Sequence, residues 1–262
     1  MGDPTLGFGR RSIVNFTNKD LKLARVTANP HRFFVAQPID FWLARCAVLV
    51  IVGLQVSIVN DLTIGPRWLA PFLELALLVP LSIATAWTQK RAHKASTNFE
   101  WSLVGRDRRR VRRLAIVLTA VSTLMNFGAL ARLIVAILSG HAGNGQTLLL
   151  DAINIWATNV VVFALWFWAL DRGGPALRGL IGIQKSDFLF TQQQTTVDSA
   201  QFANWSPGFF DYLFLAFTNA TAFSPADTFP LTVRAKLLMM AEAFISLATI
   251  AIVASRAVGI LS

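Results

Sequence analysis

A single cysteine and three histidines are all that 262 residues offer from the two side chains most used in redox and transition-metal chemistry. With Cys46 alone, no intramolecular disulfide can form and no cysteine-based metal cluster can assemble. His31, His93 and His141 are far apart in polar segments, so no metal site is expected. Charge is scarce too: only 15% of the residues are charged, and 14 acidic side chains face 24 basic ones. No glycine-rich nucleotide loop, HExxH, GxSxG or paired-carboxylate arrangement occurs, so no catalytic residue, metal or cofactor is expected and an enzyme is not. No internal repeat of the kind seen in secondary transporters is found.

What is abundant is apolar surface. Hydrophobic residues make up 54% of the chain, and a mean hydropathy of +0.53 in 28.8 kDa exceeds what one soluble core of this size can hide. A bilayer core is crossed by about 20 apolar helical residues. Phe41 to Val59, Trp68 to Trp87, Leu114 to Leu138, Leu148 to Leu170 and Val233 to Val258 all qualify. Phe209 to Phe223, with about 15 residues and so about 22 Å of helix, falls short of a span. The expected fold class is therefore all-α, a polytopic membrane helix bundle of five spans plus a re-entrant pore-type helix or a short sixth span. Trp42, Trp68, Trp87, Trp166 and Trp168 fall near proposed helix ends, where amphipathic rings favour the headgroup region, whereas Trp156 is expected to pack inside. The apolar run from residue 41 begins too late and continues too long for a cleaved signal, so the first helix is expected to be an uncleaved anchor.

The net charge of +10 collects beside the spans. Arg10, Arg11, Lys19, Lys22, Arg25 and Arg32 precede the first, and Lys90, Arg91, Lys94, Arg106, Arg108, Arg109, Arg110, Arg112 and Arg113 lie between the second and third. Such clusters stay cytoplasmic and attract anionic lipid headgroups, which places the N-terminus and the 89–113 linker in the cytoplasm. An arginine run can also neutralise nucleic-acid phosphates, but adjoining a span it is read as a topology signal, with no nucleic-acid partner. Residues 94–107, with Phe99, Trp101 and Leu103, suggest a short interfacial helix. The organisation expected is a basic cytoplasmic segment (1–40), a four-helix membrane domain (41–170), an interhelical loop (171–208) and a final helix, turn and helix (209–262).

Ionisable residues inside spans cost about 2.5 to 3.5 kcal/mol each at the helix centre on insertion scales. Arg45, near a helix start, can snorkel. Glu74 lies about six residues past the start of the second span and Arg132 about six before the end of the third; counted this way they reach similar depth, and a buried ion pair between them is expected. In 171–208, Gly173, Gly174 and Pro175 end the fourth span, and a Gly-Gly turn beside Arg172 and Arg178 either stops the helix or holds a lipid phosphate.

The most informative stretch runs from Tyr212 to Arg256. An aromatic-rich helix (Phe209 to Phe217) is followed by Thr218 and Thr221, Asp227, Pro230-Leu231-Thr232, Arg234, and a long helix carrying Glu242 and ending in Arg256. In that order and spacing it resembles the pore domain of bacterial two-transmembrane potassium channels, over under a fifth of the chain. The resemblance implies a re-entrant loop, a tetramer, a permeating monovalent cation and a bacterial plasma membrane. It also implies that Thr218, Asn219, Thr221, Ala222, Phe223, Ser224, Pro225, Ala226 and Asp227 form the filter-like turn, and that Glu242 braces it. Ala222 to Ala226 replace the family's filter sequence, and Pro225 fixes its own φ and restricts Ser224, which predicts weak selectivity rather than a potassium filter. Ser246 replaces the hinge glycine, so a smaller gating bend or none is expected. Thr218, Asn219, Thr221 and Ser224 either coordinate a cation or small polar solute, or cap the turn, with Asp227 hydrogen-bonding it.

Parity of the spans returns the chain to the cytoplasmic side at Asp171, whereas the family's pore loop enters from outside. An early segment that does not span, an inverted loop, or a thin sixth span from Ser206 to Ser224 each reconcile the two. Two functions follow: a weakly selective channel built from several copies of 218–227, or a non-conducting membrane protein that keeps the pore fold for packing and binds lipid or a protein partner through its basic face.

Overall fold

The computed structural model describes residues 38–58, 68–94, 98–139, 145–175, 185–194, 205–222 and 227–261. They form six helices: α1 (Pro38–Val56), α2 (Leu69–Lys94), α3 (Asn98–Leu138), α4 (Gly145–Leu170), α5 (Phe209–Ala222) and α6 (Val233–Leu261). The fold is mostly helical, as expected. An element not expected is a small antiparallel ribbon of β1 (Phe188–Phe190) and β2 (Thr228–Pro230), in which Leu189 faces Phe229. Its aromatic and threonine residues suit a pleated surface, and Pro230, at the strand end, withholds a donor where none is needed.

Four helices are long and apolar enough to cross a membrane, over Ile39–Val56, Arg106–Leu138, Gln146–Gly173 and Val233–Ser255. The fifth expected span is not among them: in α2 the apolar stretch is Pro71–Trp87, shorter than these four. From Asn98 on, the short interfacial helix expected over 94–107 is instead the first part of the 41-residue α3. No proline interrupts 98–113, and its Arg, Leu and Glu residues are good helix formers, so the helix runs on through the basic cluster.

The central element is α4, which packs against α1, α3, α5 and α6. Two-thirds of its apolar window is buried, 67% against 22% for α6. Phe163, Ala164, Phe167 and Trp168 of α4 join Ile51 of α1, Leu118 of α3, Phe188 of β1, and Tyr212, Leu215 and Ala216 of α5 in the main core. A second cluster, Ala129, Leu130 and Leu133 of α3 with Leu148, Ala152 and Ile155 of α4, closes the other end. There Asn154 donates to the Leu54 carbonyl at 2.6 Å and to the Ser57 hydroxyl at 2.8 Å, joining the start of α4 to the end of α1.

The ribbon marks the opposite end. The Phe209 amide donates to Asp40 (3.1 Å), bringing together the starts of α5 and α1. Tyr212 donates to Asp171 (2.6 Å), which adds the end of α4. The Leu231 amide donates to the Asp187 carbonyl (2.8 Å), which adds the start of α6. Both α5 and α6 thus leave from the ribbon end, and they run side by side in the same direction. Asn219 lies about 15 Å along α5 and Glu242 about 14 Å along α6, and the two side chains meet at 2.7 Å. By Asp227 the chain is back at the ribbon, where the Asp227 carbonyl accepts the Thr191 amide (3.2 Å).

Candidate functional site

Helix α5 begins between two carboxylates. Its first turn carries amides with no intrahelical acceptor. Asp211 takes the Gly208 amide at 2.7 Å and Asp40 takes that of Phe209, so negative charge lies at the positive end of the helix. Gly208 permits this closeness, since a Cβ there would come within 2.9 Å of Asp40 Oδ1. Burial, opposed by the Gly208 amide and aided by Asp40, raises the Asp211 carboxyl above its ordinary value.

A polar seam runs between α5, α6 and α4. Asn219, 3% exposed, donates to Glu242 Oε2 (2.7 Å) and to the Met239 carbonyl (3.0 Å). Across α6, Asn159 of α4 donates to Ser246 Oγ (3.0 Å) and to the Glu242 carbonyl (3.4 Å). Glu242, Ser246 and Thr249 have no exposed surface, and they recur at helical spacing on one face of α6. Phe244, Leu247 and Ile250 occupy its exposed face. Glu242 Oε1 meets no hydrogen-bond partner among the described residues.

Asn219, expected in the filter-like turn, and Glu242, expected to brace it, are thus brought together, and Ser246 joins them through Asn159. Thr218 and Thr221 are on α5 and spend their hydroxyl protons on its own carbonyls, at Phe214 (2.9 Å) and Phe217 (2.8 Å). Ala222 ends the helix with its side chain exposed, and Asp227 is exposed beside the ribbon. Phe223, Ser224, Pro225 and Ala226 lie outside the described residues. Asn159 was not anticipated. Its signal was available, an amide inside the apolar run of α4 that must find a partner in a membrane.

A second network ties the loop to the ribbon end. Asp171, fully buried, accepts the Asp187 amide at 2.7 Å through Oδ1 and the hydroxyl of Tyr212, the only tyrosine in the chain, through Oδ2. Asp187, also buried, accepts Thr232 Oγ1 (2.6 Å), Arg234 Nε (2.6 Å) and Arg234 Nη2. Asp171 and Asp187 thus lock the end of α4 and the start of β1 to α5 and to the start of α6. The Gly-Gly turn is a helix stop: Arg172 takes a left-handed φ of 51°, Gly174 has φ 77°, and a Cβ at Gly174 would lie 2.4 Å from the Ala169 carbonyl oxygen. Arg172 turns to Ser186 (3.3 Å) and Asp171 (3.7 Å); Arg178 lies outside the described residues.

Glu74 is served by an amide rather than by the expected guanidinium. It accepts Gln55 Nε2 at 2.9 Å, and the Ser122 hydroxyl beside it donates to the Leu118 carbonyl. Arg132 lies ten residues, about 15 Å, further along α3 than Ser122, and it is exposed. Counting depth from the ends of the apolar runs misplaced the pair, because α2 and α3 do not begin and end level with each other. Trp166, expected at the headgroups, donates to Thr123 (2.8 Å), and Trp168 is buried between Phe41 and Phe209. Trp156 packs edge-on against Phe217, at 6.1 Å. In the basic cluster Arg106, Arg109, Arg110 and Arg113 are exposed while Arg108 and Arg112 are half-buried; the N-terminal basic residues and Lys90, Arg91 and Lys94 have no described side chains. Compared with known proteins, the chain matches no protein-family model, no curated protein and no solved structure.

Proposed function

We propose that α5, the return to Asp227 and α6 form a re-entrant pore loop, and that several copies, four by the resemblance, surround a weakly selective path for monovalent cations. The observation that carries this reading is the parallel run of α5 and α6 from one end, with Asn219 bonded to Glu242. Two consecutive spans joined by a short turn would run antiparallel. A helix that enters, turns and leaves by the same face does not, and its irregular backbone is tolerated at membrane depth only where it is buried in protein or lines water. The Arg106–Arg113 cluster leads α3 away from the ribbon end, so the positive-inside rule favours an inverted loop opening to the cytoplasm, out of the three topologies open to the sequence.

The second reading, a non-conducting protein that keeps the loop for packing, is favoured by Thr218 and Thr221, whose hydroxyls face their own helix. Cation flux into proteoliposomes separates the two. We expect flux that is reduced several-fold by Thr221→Val and by Asp227→Ala. Flux that neither substitution changes removes this loop as the path, and a monomeric protein in nanodiscs removes a central pore.

A further inference from the structure

We propose that a cavity between α1, α2, α3 and α4 at the ribbon end seats part of one acyl chain of an anionic phospholipid, with Arg112 and Arg45 at its rim holding the phosphate. The cavity measures about 70 Å³, several times what one water needs. Val48, Leu78, Leu118, Leu165 and Trp168 line it. Its lining positions on α1 and α3 extend over about two helical turns, roughly 10 Å, which suits a length of chain rather than a compact solute.

The chemistry of the wall separates an amphiphile from a free anion. Thr85 and Thr119 line the cavity, but their hydroxyls donate to the Leu81 and Ala115 carbonyls of their own helices. The interior therefore offers little to water, and apolar cavities of this kind stay dry or take apolar guests. The rim is different. Arg112 Nε is buried and meets no hydrogen-bond partner among the described residues, a state that costs free energy unless an acceptor arrives. Asp187 acts on Arg112, but its carboxylate is already held by Thr232 and Arg234, whose own positive charge opposes it there. Among the described residues Arg45 reaches only the Ser82 carbonyl, at a long 3.3 Å, and stacks over Trp42 at 5.4 Å. An apolar slot capped by two guanidinium groups, beside the exposed Arg109 and Arg113, matches a phosphate ester with a hydrocarbon tail.

The test uses the full chain in nanodiscs of phosphatidylcholine and phosphatidylglycerol, delipidated in mild detergent and weighed by native mass spectrometry. We expect one phosphatidylglycerol retained per chain in preference to phosphatidylcholine, with retention falling about tenfold in Arg112→Gln and in the cavity-filling Ala115→Phe, and largely kept in Arg112→Lys. Equal retention of both lipids, or no loss in Arg112→Gln, overturns the proposal. Displacement by free inorganic phosphate at millimolar concentration also overturns it, since that describes a headgroup-only site. A readout that needs no cavity variant is fluorescence quenching by chain-brominated lipids. The quenching due to Trp168, taken as wild type minus Trp168→Phe, should be stronger with brominated phosphatidylglycerol than with brominated phosphatidylcholine, and equal quenching counts against the site.

Discussion

Replacing Asn219 by leucine removes the only hydrogen-bond donor that reaches the Glu242 carboxyl among the described residues, together with a bond to the Met239 carbonyl. Leucine keeps asparagine's branching and number of side-chain heavy atoms but is bulkier, with two methyl groups for the oxygen and the amino group, so some overpacking adds to the polar loss. Hydrogen bonds between membrane helices average about 0.6 kcal/mol and reach about 1.7. Leaving a buried polar group unserved adds about 1 to 3 kcal/mol. Because Glu242 and Asn219 are both within 3% of full burial, water cannot enter to replace the donor. Asn219→Leu should therefore cost about 2 to 4 kcal/mol. Substituting both partners with apolar residues can be nearly neutral, so Asn219→Leu with Glu242→Leu should cost less than the sum of the single changes by at least about 1 kcal/mol. Reversible unfolding in mixed dodecyl-maltoside and SDS micelles measures all three variants. Single effects that simply add, or an Asn219→Leu cost below about 0.5 kcal/mol, would refute the claim that this bond holds α5 against α6.

Three further outcomes follow from the ribbon end. Arg234 is half-exposed (54%) and Asp187 is not (1%), so Arg234→Met, which strands a buried carboxylate, should destabilise by about 3 to 5 kcal/mol. Asp187→Asn leaves a cation that water can reach, and in the same unfolding assay it should cost clearly less; a reversed order would contradict the lock. Gly174→Ala combines a left-handed φ with a 2.4 Å approach to the Ala169 carbonyl oxygen and should cost more than about 1 kcal/mol, seen as a lowered Tm. The raised Asp211 carboxyl stays protonated in the folded chain to a higher pH than in the unfolded one. Its contribution is therefore fullest below the unfolded value and is lost as pH rises through the folded one. Asp211→Asn, which can still accept the Gly208 amide, should flatten stability across the acid range just above pH 3.8, and an unchanged pH profile would contradict this.

Run length made most helices legible in the sequence, since a stretch of about 20 apolar residues has few alternatives to a spanning helix. Where one helix ends was less legible. The basic residues 106–113 read as a linker, yet nothing in them breaks a helix, and α3 continues through them. The ribbon could not be read, because three-residue strands separated by nearly forty residues carry no periodic signal. The resemblance named Asn219 among nine residues of the turn and Glu242 and Ser246 as inner-helix positions, but not that Asn219 bonds to Glu242, which depends on α5 and α6 running in parallel. The partner that links Ser246 to α4, Asn159, came from an element outside the resemblance. Glu74 was rightly singled out as a residue needing a partner, but the partner was assigned by depth, and relative depth depends on how helices are offset. Only packing sets that offset.

The central claim is that α5 enters and the chain leaves by the same face of the membrane, while α6 goes on to the other. Single cysteines at Ser206, Asp227 and Ser255, placed in a Cys46→Ala background and labelled with a membrane-impermeant thiol reagent added to one side of sealed vesicles, test it directly. Ser206→Cys and Asp227→Cys should react from one and the same side, with Ser255→Cys reacting only from the other. Labelling of Ser206→Cys and Asp227→Cys from opposite sides would make α5 a sixth span and contradict the account.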